Sequence, residues 1–206
     1  MKVLVTGGAG FIGSNFIRFT LNAHPDWEIW NFDKLTYAGN TANLKDIEND
    51  SRYHFVQGDI ADAKAVEGVM AEGIDQVVNF AAETHVDRSI QGGQEFLQTN
   101  VIGVHRLIEA ARKAETVKKF LHISTDEVYG DLPAGQFASE TDPLHPSSPY
   151  AASKAALEAL ERARSQLSVS TYFDEDLFRR EQEPGGQAKP DRGATIKSED
   201  EKVRAD

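Results

Sequence analysis

Short apolar runs and longer amphipathic stretches alternate along most of this 206-residue chain. Lys2 to Thr6 is a β-branched run that meets glycines, and Phe11, Ile12, Phe16, Ile17 and Phe19 follow at helical spacing until His24 and Pro25 stop the pattern. Glu28 to Asp33 predicts a second strand, and further strands are expected at Tyr53 to Gln57, Gln76 to Ala81 and Lys119 to Ile123. Helical spacing between them covers Ala63 to Glu72 and Gln94 to Ala114. Strands alternating with helices build βαβ units, so the fold class is α/β with a parallel sheet. No internal repeat is present.

The pattern changes near Ala156. Residues 157 to 206 hold 21 charged side chains in 50, against 34 in the first 156. Leu157 to Leu167 still reads as helix and Leu167 to Phe173 as one more weak strand, so 157 to 173 is expected to complete the fold. From Asp174 to Asp206 apolar residues nearly vanish among Pro184, Gly185, Gly186, Pro190 and charges, which predicts a disordered tail.

Charge narrows the function classes. Lysine plus arginine is 22 and aspartate plus glutamate 33, a net −11 spread along the chain, which argues against a face for nucleic acid or anionic lipid. No cysteine is present, so disulfides, thiolate metal sites and a cysteine nucleophile are excluded. No apolar run reaches the roughly eighteen residues of a membrane span, and the start lacks a signal peptide's pattern; a cytoplasmic protein is expected.

Candidate chemistry begins at the first turn. Gly7-Gly8-Ala9-Gly10-Phe11-Ile12-Gly13 satisfies GxGxxG from Gly8 and GxxGxxG from Gly7. Such a turn needs backbone freedom, no Cβ where a pyrophosphate approaches, and close helix packing at the last glycine. Asp33 lies 20 residues beyond Gly13 at the end of the second strand. A carboxylate there accepts hydrogen bonds from ribose hydroxyls and repels a 2′-phosphate, which selects NAD over NADP. Gly58-Asp59-Ile60 ends the third strand, where a side chain can meet the adenine.

Tyr150 and Lys154 stand four apart on one predicted helix face. A phenol with an ordinary pKa near 10 works as a base near neutrality only beside a cation, which Lys154 supplies; taken alone, the same spacing is common surface decoration. Thr125, Asp126 and Glu127 follow the fifth strand, at the strand ends where open parallel sheets bind ligands. By themselves the two acids read equally as solvated loop residues.

Finer motifs add a resemblance. Asp33-Lys34-Leu35-Thr36-Tyr37-Ala38-Gly39-Asn40, Ala81-Ala82-Glu83-Thr84-His85-Val86-Asp87-Arg88-Ser89-Ile90, Thr125-Asp126-Glu127-Val128-Tyr129-Gly130 and Ser147-Ser148-Pro149-Tyr150, with the glycine turn and YxxxK, resemble the extended short-chain dehydrogenase/reductases, and among them the dTDP-glucose 4,6-dehydratases. The resemblance implies a Rossmann-like doubly wound sheet, NAD as cofactor and loss of water from dTDP-glucose. It assigns Tyr150 as base for the C4 hydroxyl, Glu127 as base for the C5 proton, Asp126 as acid for the C6 hydroxyl, Thr125 as holder of the C4 oxygen, and Lys154 as ribose contact and depressor of the tyrosine pKa. Cofactor contacts are implied at Gly7, Gly10, Phe11, Ile12, Gly13, Asp33, Lys34, Leu35, Thr36, Asp59, Ile60, Phe80, Ala81, Ala82, Glu83, Thr84, Thr99, Tyr150 and Lys154, with Thr84 and Thr125 also reaching substrate. Thr84 stands where the family often has serine. His85 and His122 take no role, and no metal is expected.

The resemblance covers residues 1 to about 156 and then stops, a boundary that a frameshift or a gene remnant would produce. The asparagine-rich segment and the C-terminal domain that grips the nucleotide-sugar in that family are not recognisable here, so a non-catalytic NAD-binding remnant is the alternative, with another nucleotide-sugar epimerase or dehydratase more distant. A homodimer through the helices at 94–114 and 150–166 is also implied.

Overall fold

The computed structural model describes residues 1–133, 135–139, 141–162 and 169–173. The expected tail, 174–206, lies outside the described residues, as does 163–168. Six strands form one parallel sheet: β1 (Lys2–Thr6), β2 (Glu28–Asp33), β3 (Tyr53–Gln57), β4 (Gln76–Asn79), β5 (Lys119–Ser124) and β6 (Val169–Phe173), in the order β3-β2-β1-β4-β5-β6. The chain winds outward from β1 to β3, returns beside β1 as β4 and winds outward again, so the order reverses between β1 and β4. A crevice opens there at the carboxyl ends of the strands.

Alternating strand residues divide the core between the two faces. Val3, Val5, Ile29 and Val78 pack against Ile17 and Leu21 of α1 (Phe11–Ala23). Leu4, Phe32, Val77 and Phe120 pack against α2 (Ala63–Met70), α5 (Val104–Lys113) and Leu157 of α6 (Pro149–Arg162). Both faces are covered, as the near-continuous apolar runs of the strands require.

One expected helix is not continuous. Gln94 to Ala114 divides into α4 (Gln94–Phe96), a π-helical segment (Leu97–Gly103) and α5. Buried Asn100 explains the wider turn, because its side chain is held outside the helix: Oδ1 accepts from Glu83 N–H at 2.9 Å, and Nδ2 donates to Glu83 C=O at 2.9 Å and to Ser153 Oγ at 3.0 Å. At the end of the segment a Cβ on Gly103 would lie 2.8 Å from Ile60, so the backbone itself packs on the loop after β3. Such bulges recur at functional sites.

Candidate active site

The glycine turn is set by close backbone contacts. Gly7 has φ +68, and a Cβ there would lie 2.6 Å from the Ala81 backbone nitrogen; a Cβ on Gly13 would lie 2.5 Å from the Gly7 carbonyl. Strand, turn and helix therefore approach more closely than side chains allow. No side chain caps α1 and its first turn holds no acid, so its N-terminal dipole faces the crevice uncompensated, as an anionic phosphate requires.

Asp33 ends β2 and is 7% exposed. Its Oδ2 accepts from Ala9 N–H at 2.9 Å and its Oδ1 from Leu35 N–H at 2.8 Å. Leu35 adopts φ 58, which costs a branched residue strain and aims its amide back at the carboxylate. The loop from Lys34 to Gly39 is thereby folded over Asp33. Lys34 Nζ lies 2.8 Å from Asp59 Oδ2, and this partner raises the lysine pKa.

These elements enclose a groove of about 310 Å³. It brings together Gly7, Gly10, Phe11, Ile12, Gly13, Asp33, Lys34, Thr36, Asp59, Ile60, Phe80, Ala81, Ala82, Glu83, Thr84, Thr99, Tyr150 and Lys154. Leu35 does not line it and acts through its backbone instead. Phe32, Ala38, Gly39, Gly58, Ile123 and Ser124 also line the groove, none of them expected. A long groove with an uncapped helix end in its floor and a buried carboxylate at one end fits a dinucleotide.

Helix α6 carries the other end. Ser148 starts it by accepting from Ala151 N–H at 3.0 Å, with Pro149 at the first helical position, where its missing N–H costs nothing. Tyr150 N–H donates to Ser89 Oγ at 3.2 Å and Ser153 Oγ to the Tyr150 carbonyl at 2.6 Å. Lys154, only 3% exposed, donates to the Ile123 carbonyl at 2.8 Å, which fixes its ammonium beside the groove. Ser124 donates to the buried Glu158 carboxylate one turn further along α6. Sequence reading missed Ser89, Asn100, Ser153 and Glu158.

Thr125, Asp126 and Glu127 do not line the groove but follow directly on Ile123 and Ser124, which do. Thr125 is buried and caps a 3-10 turn (Asp126–Tyr129), accepting from Glu127 N–H at 3.4 Å and donating to Asp126 Oδ1 at 3.3 Å. Val128 and Tyr129 anchor that turn against Ala155 of α6, leaving both acids exposed beside the helix of Tyr150. Partial burial and then the Asp126 charge push the Glu127 pKa up.

His122 is wholly buried at the end of a polar row across the sheet. Thr6 pairs in register with Asn79 and Asn79 with His122. Thr6 Oγ1 donates to Asn79 Oδ1 at 2.5 Å, and Asn79 Nδ2 lies 2.9 Å from His122 Nδ1. Burial and then Lys154 hold the imidazole pKa well below its ordinary value, so the folded protein keeps it neutral. The unfolded chain binds that proton near pH 6.5. The stability this group contributes is therefore complete above about pH 6.5 and falls as pH drops below it, by up to about 1.4 kcal/mol per pH unit. Urea midpoints at pH 7 and pH 5 should separate less in His122→Asn than in the parent, and an identical separation in both would remove His122 as the cause. Among the described residues no group of three or more His, Asp or Glu is placed to hold a metal, and no helix is long and apolar enough to cross a membrane.

The family model described as GDP-mannose 4,6 dehydratase matches residues 4–181, which carries the likeness past the boundary expected near residue 156. The dTDP-glucose 4,6-dehydratase of Haemophilus influenzae is 48% identical over 173 residues, covering 79% of this chain and 51% of the relative. The low-salt glycan biosynthesis protein Agl12 of Haloferax volcanii is 50% identical, again over 79% of this chain and 51% of the relative. Among solved structures, DesIV, a dTDP-glucose 4,6-dehydratase from Streptomyces venezuelae crystallised with NAD, aligns with a TM-score of 0.78 at 48% identity, over 83% of this chain and 54% of that one. UDP-glucose 4-epimerase from Thermus thermophilus, in complex with NAD, aligns at 0.75 with 35% identity, over 83% and 54%. The chain spans about half the length of the curated relatives it matches. Because the matching segment runs unbroken from within β1 to beyond β6, through the whole described sheet, the chain belongs to the GDP-mannose 4,6 dehydratase family.

Proposed function

We propose that this chain binds NAD and carries the proton-transfer groups of a dTDP-glucose 4,6-dehydratase, a lyase. The observation that carries this reading is that Tyr150 and Lys154 line the same groove as the glycine turn and Asp33. Bound NAD supplies an acceptor for the C4 hydride of the sugar and returns that hydride to C6, so water is lost without net oxidation. Tyr150 takes the C4 hydroxyl proton, and the fixed charge of Lys154 stabilises the phenolate that does so. Thr125 and Thr84 hold the sugar beside them. Once C4 is a ketone the C5 proton is acidic enough for Glu127 to remove, and its raised pKa makes it the stronger base for that step. Asp126 gives its proton to the departing C6 hydroxyl.

The exposure of Asp126 and Glu127 favours a second reading, a cofactor-binding unit without turnover, because proton transfer at carbon gains from a site closed to water. Incubation with NAD and dTDP-glucose separates the two. A 4-keto-6-deoxy product that disappears in Tyr150→Phe and in Glu127→Gln supports the dehydratase; NAD binding without product supports the second reading. We also propose a homodimer through α5 and α6, where Leu97, Ile102 and Leu160 are exposed on or beside these helices; light scattering that shows only monomer at tens of micromolar counts against it.

A further inference from the structure

We propose that Tyr37, Glu83 and Arg88 form a clasp across the mouth of the groove, positioning residues that set how fast a dinucleotide enters and leaves; this rests on the NAD reading above. The groove runs between two walls. One is the Lys34 to Gly39 loop after β2, and the other is the Phe80 to Thr84 stretch after β4, on opposite sides of β1 in the sheet. Tyr37 reaches from the first wall to the second, where its hydroxyl donates to Glu83 Oε2 at 3.3 Å. The Arg88 guanidinium lies 4.7 Å from the centre of the Tyr37 ring, and the His85 ring packs at 5.6 Å with a 39° tilt.

The two walls are not equally firm. Glu83 is pinned through both its N–H and its C=O by Asn100. Tyr37 is 55% exposed, while its loop is anchored at either end, by Leu35 N–H on Asp33 and by Asn40 N–H on the Ala9 carbonyl at 3.0 Å. A second cavity of about 500 Å³, lined by Tyr37, Glu83, Arg88 and Gln98 among others, joins the groove at Lys34, Thr36, Glu83 and Thr99 and leaves the ring open space to swing into. Partial burial and then the Glu83 charge raise the phenol pKa, so the hydroxyl remains a donor across the physiological range. Every contact joins protein to protein. The clasp therefore hinders entry and exit alike and leaves the equilibrium between them almost unchanged.

The test follows NADH fluorescence in stopped flow, with the whole chain, for association and for displacement by excess NAD. Tyr37→Phe removes the hydroxyl bond and Arg88→Met removes the charge at similar length; both positions are exposed, and melting curves matching the parent confirm folding. Each variant should raise association and dissociation rates together by about fivefold, the factor that corresponds to roughly 1 kcal/mol for an exposed contact of this kind, with affinity held within about twofold. Unchanged rates overturn the clasp. Faster dissociation alone, with affinity lost in proportion, also overturns it and makes these residues direct ligand contacts. A parent chain that binds no NADH removes the cofactor reading itself, and the clasp with it.

Discussion

Gly7→Ala should destabilise the fold by about 3 to 5 kcal/mol and abolish dinucleotide binding. An alanine held at φ +68 costs about 1 to 2 kcal/mol before any contact is counted. Its Cβ would then lie 2.6 Å from Ala81 N, 2.8 Å from Ala81 Cα and 2.9 Å from the Phe80 carbonyl carbon. These are backbone atoms of the segment that leaves β4, where Phe80 N–H is tied to the Thr6 carbonyl at 3.0 Å. Relief requires moving β4 away from β1, which opens the crevice at the point where a pyrophosphate must sit. Gly68→Ala is the matching control. It lies in α2 with nothing within 4 Å of its Cβ, and should raise stability by about 0.5 to 1 kcal/mol. Thermal unfolding should place the first variant on the order of 10 °C below the parent and the second slightly above it. Equal midpoints for Gly7→Ala and the parent would contradict the contact at Ala81.

Asp33→Ala should weaken NAD binding by about 1 to 3 kcal/mol, a factor of roughly 5 to 150 in Kd. The carboxylate already accepts two backbone N–H groups and has lone pairs left for the two ribose hydroxyls. Removing it leaves those hydroxyls unpaired in a desolvated pocket. It also frees Leu35 from the amide contact that holds it at φ 58, so the loop over the ribose loses its shape. Repulsion of a 2′-phosphate disappears at the same time, and the preference for NAD over NADP should shrink in the variant. Fluorescence titration with NADH and NADPH measures both effects, and equal affinity of the parent for the two cofactors would remove Asp33 as the selector.

The parts legible in the sequence are those written locally. Lys2 to Thr6, the glycines and Asp33 are read from adjacent residues, because period-two burial, φ freedom and a fixed distance along a βαβ unit all show within some thirty positions. The YxxxK helix is visible for the same reason. Asn100 was invisible because its partners are 17 and 53 residues away, and an asparagine within an apolar helical stripe carries no mark of them. Glu158 reads as one more helix acid until Ser124, 34 residues earlier, is seen donating to it. His122 could be placed only by register, since its link to Asn79 exists because β4 and β5 are neighbours in the sheet. Leu35 was assigned to the cofactor correctly as a segment and wrongly as a side chain, because a positive φ at a leucine has no compositional signal.

The wide turn between Leu97 and Gly103 limits how this chain can change by insertion and deletion. One residue fewer in that segment would restore an ordinary helix only by rotating everything beyond it by about 100° and drawing it back about 1.5 Å. Val104, Leu107 and Ala111, now in the core, would turn away from the sheet, while polar neighbours such as Arg106 and Arg112 would turn toward it. Thr99 and Asn100, which now face the groove and Ser153, would lose their places as well. A single-codon loss here is therefore penalised twice, in packing and at the site, although each residue it removes could be substituted with far less harm. The extra residue is in effect locked in: a lineage can vary the side chains around it but has no gradual route back to the shorter helix.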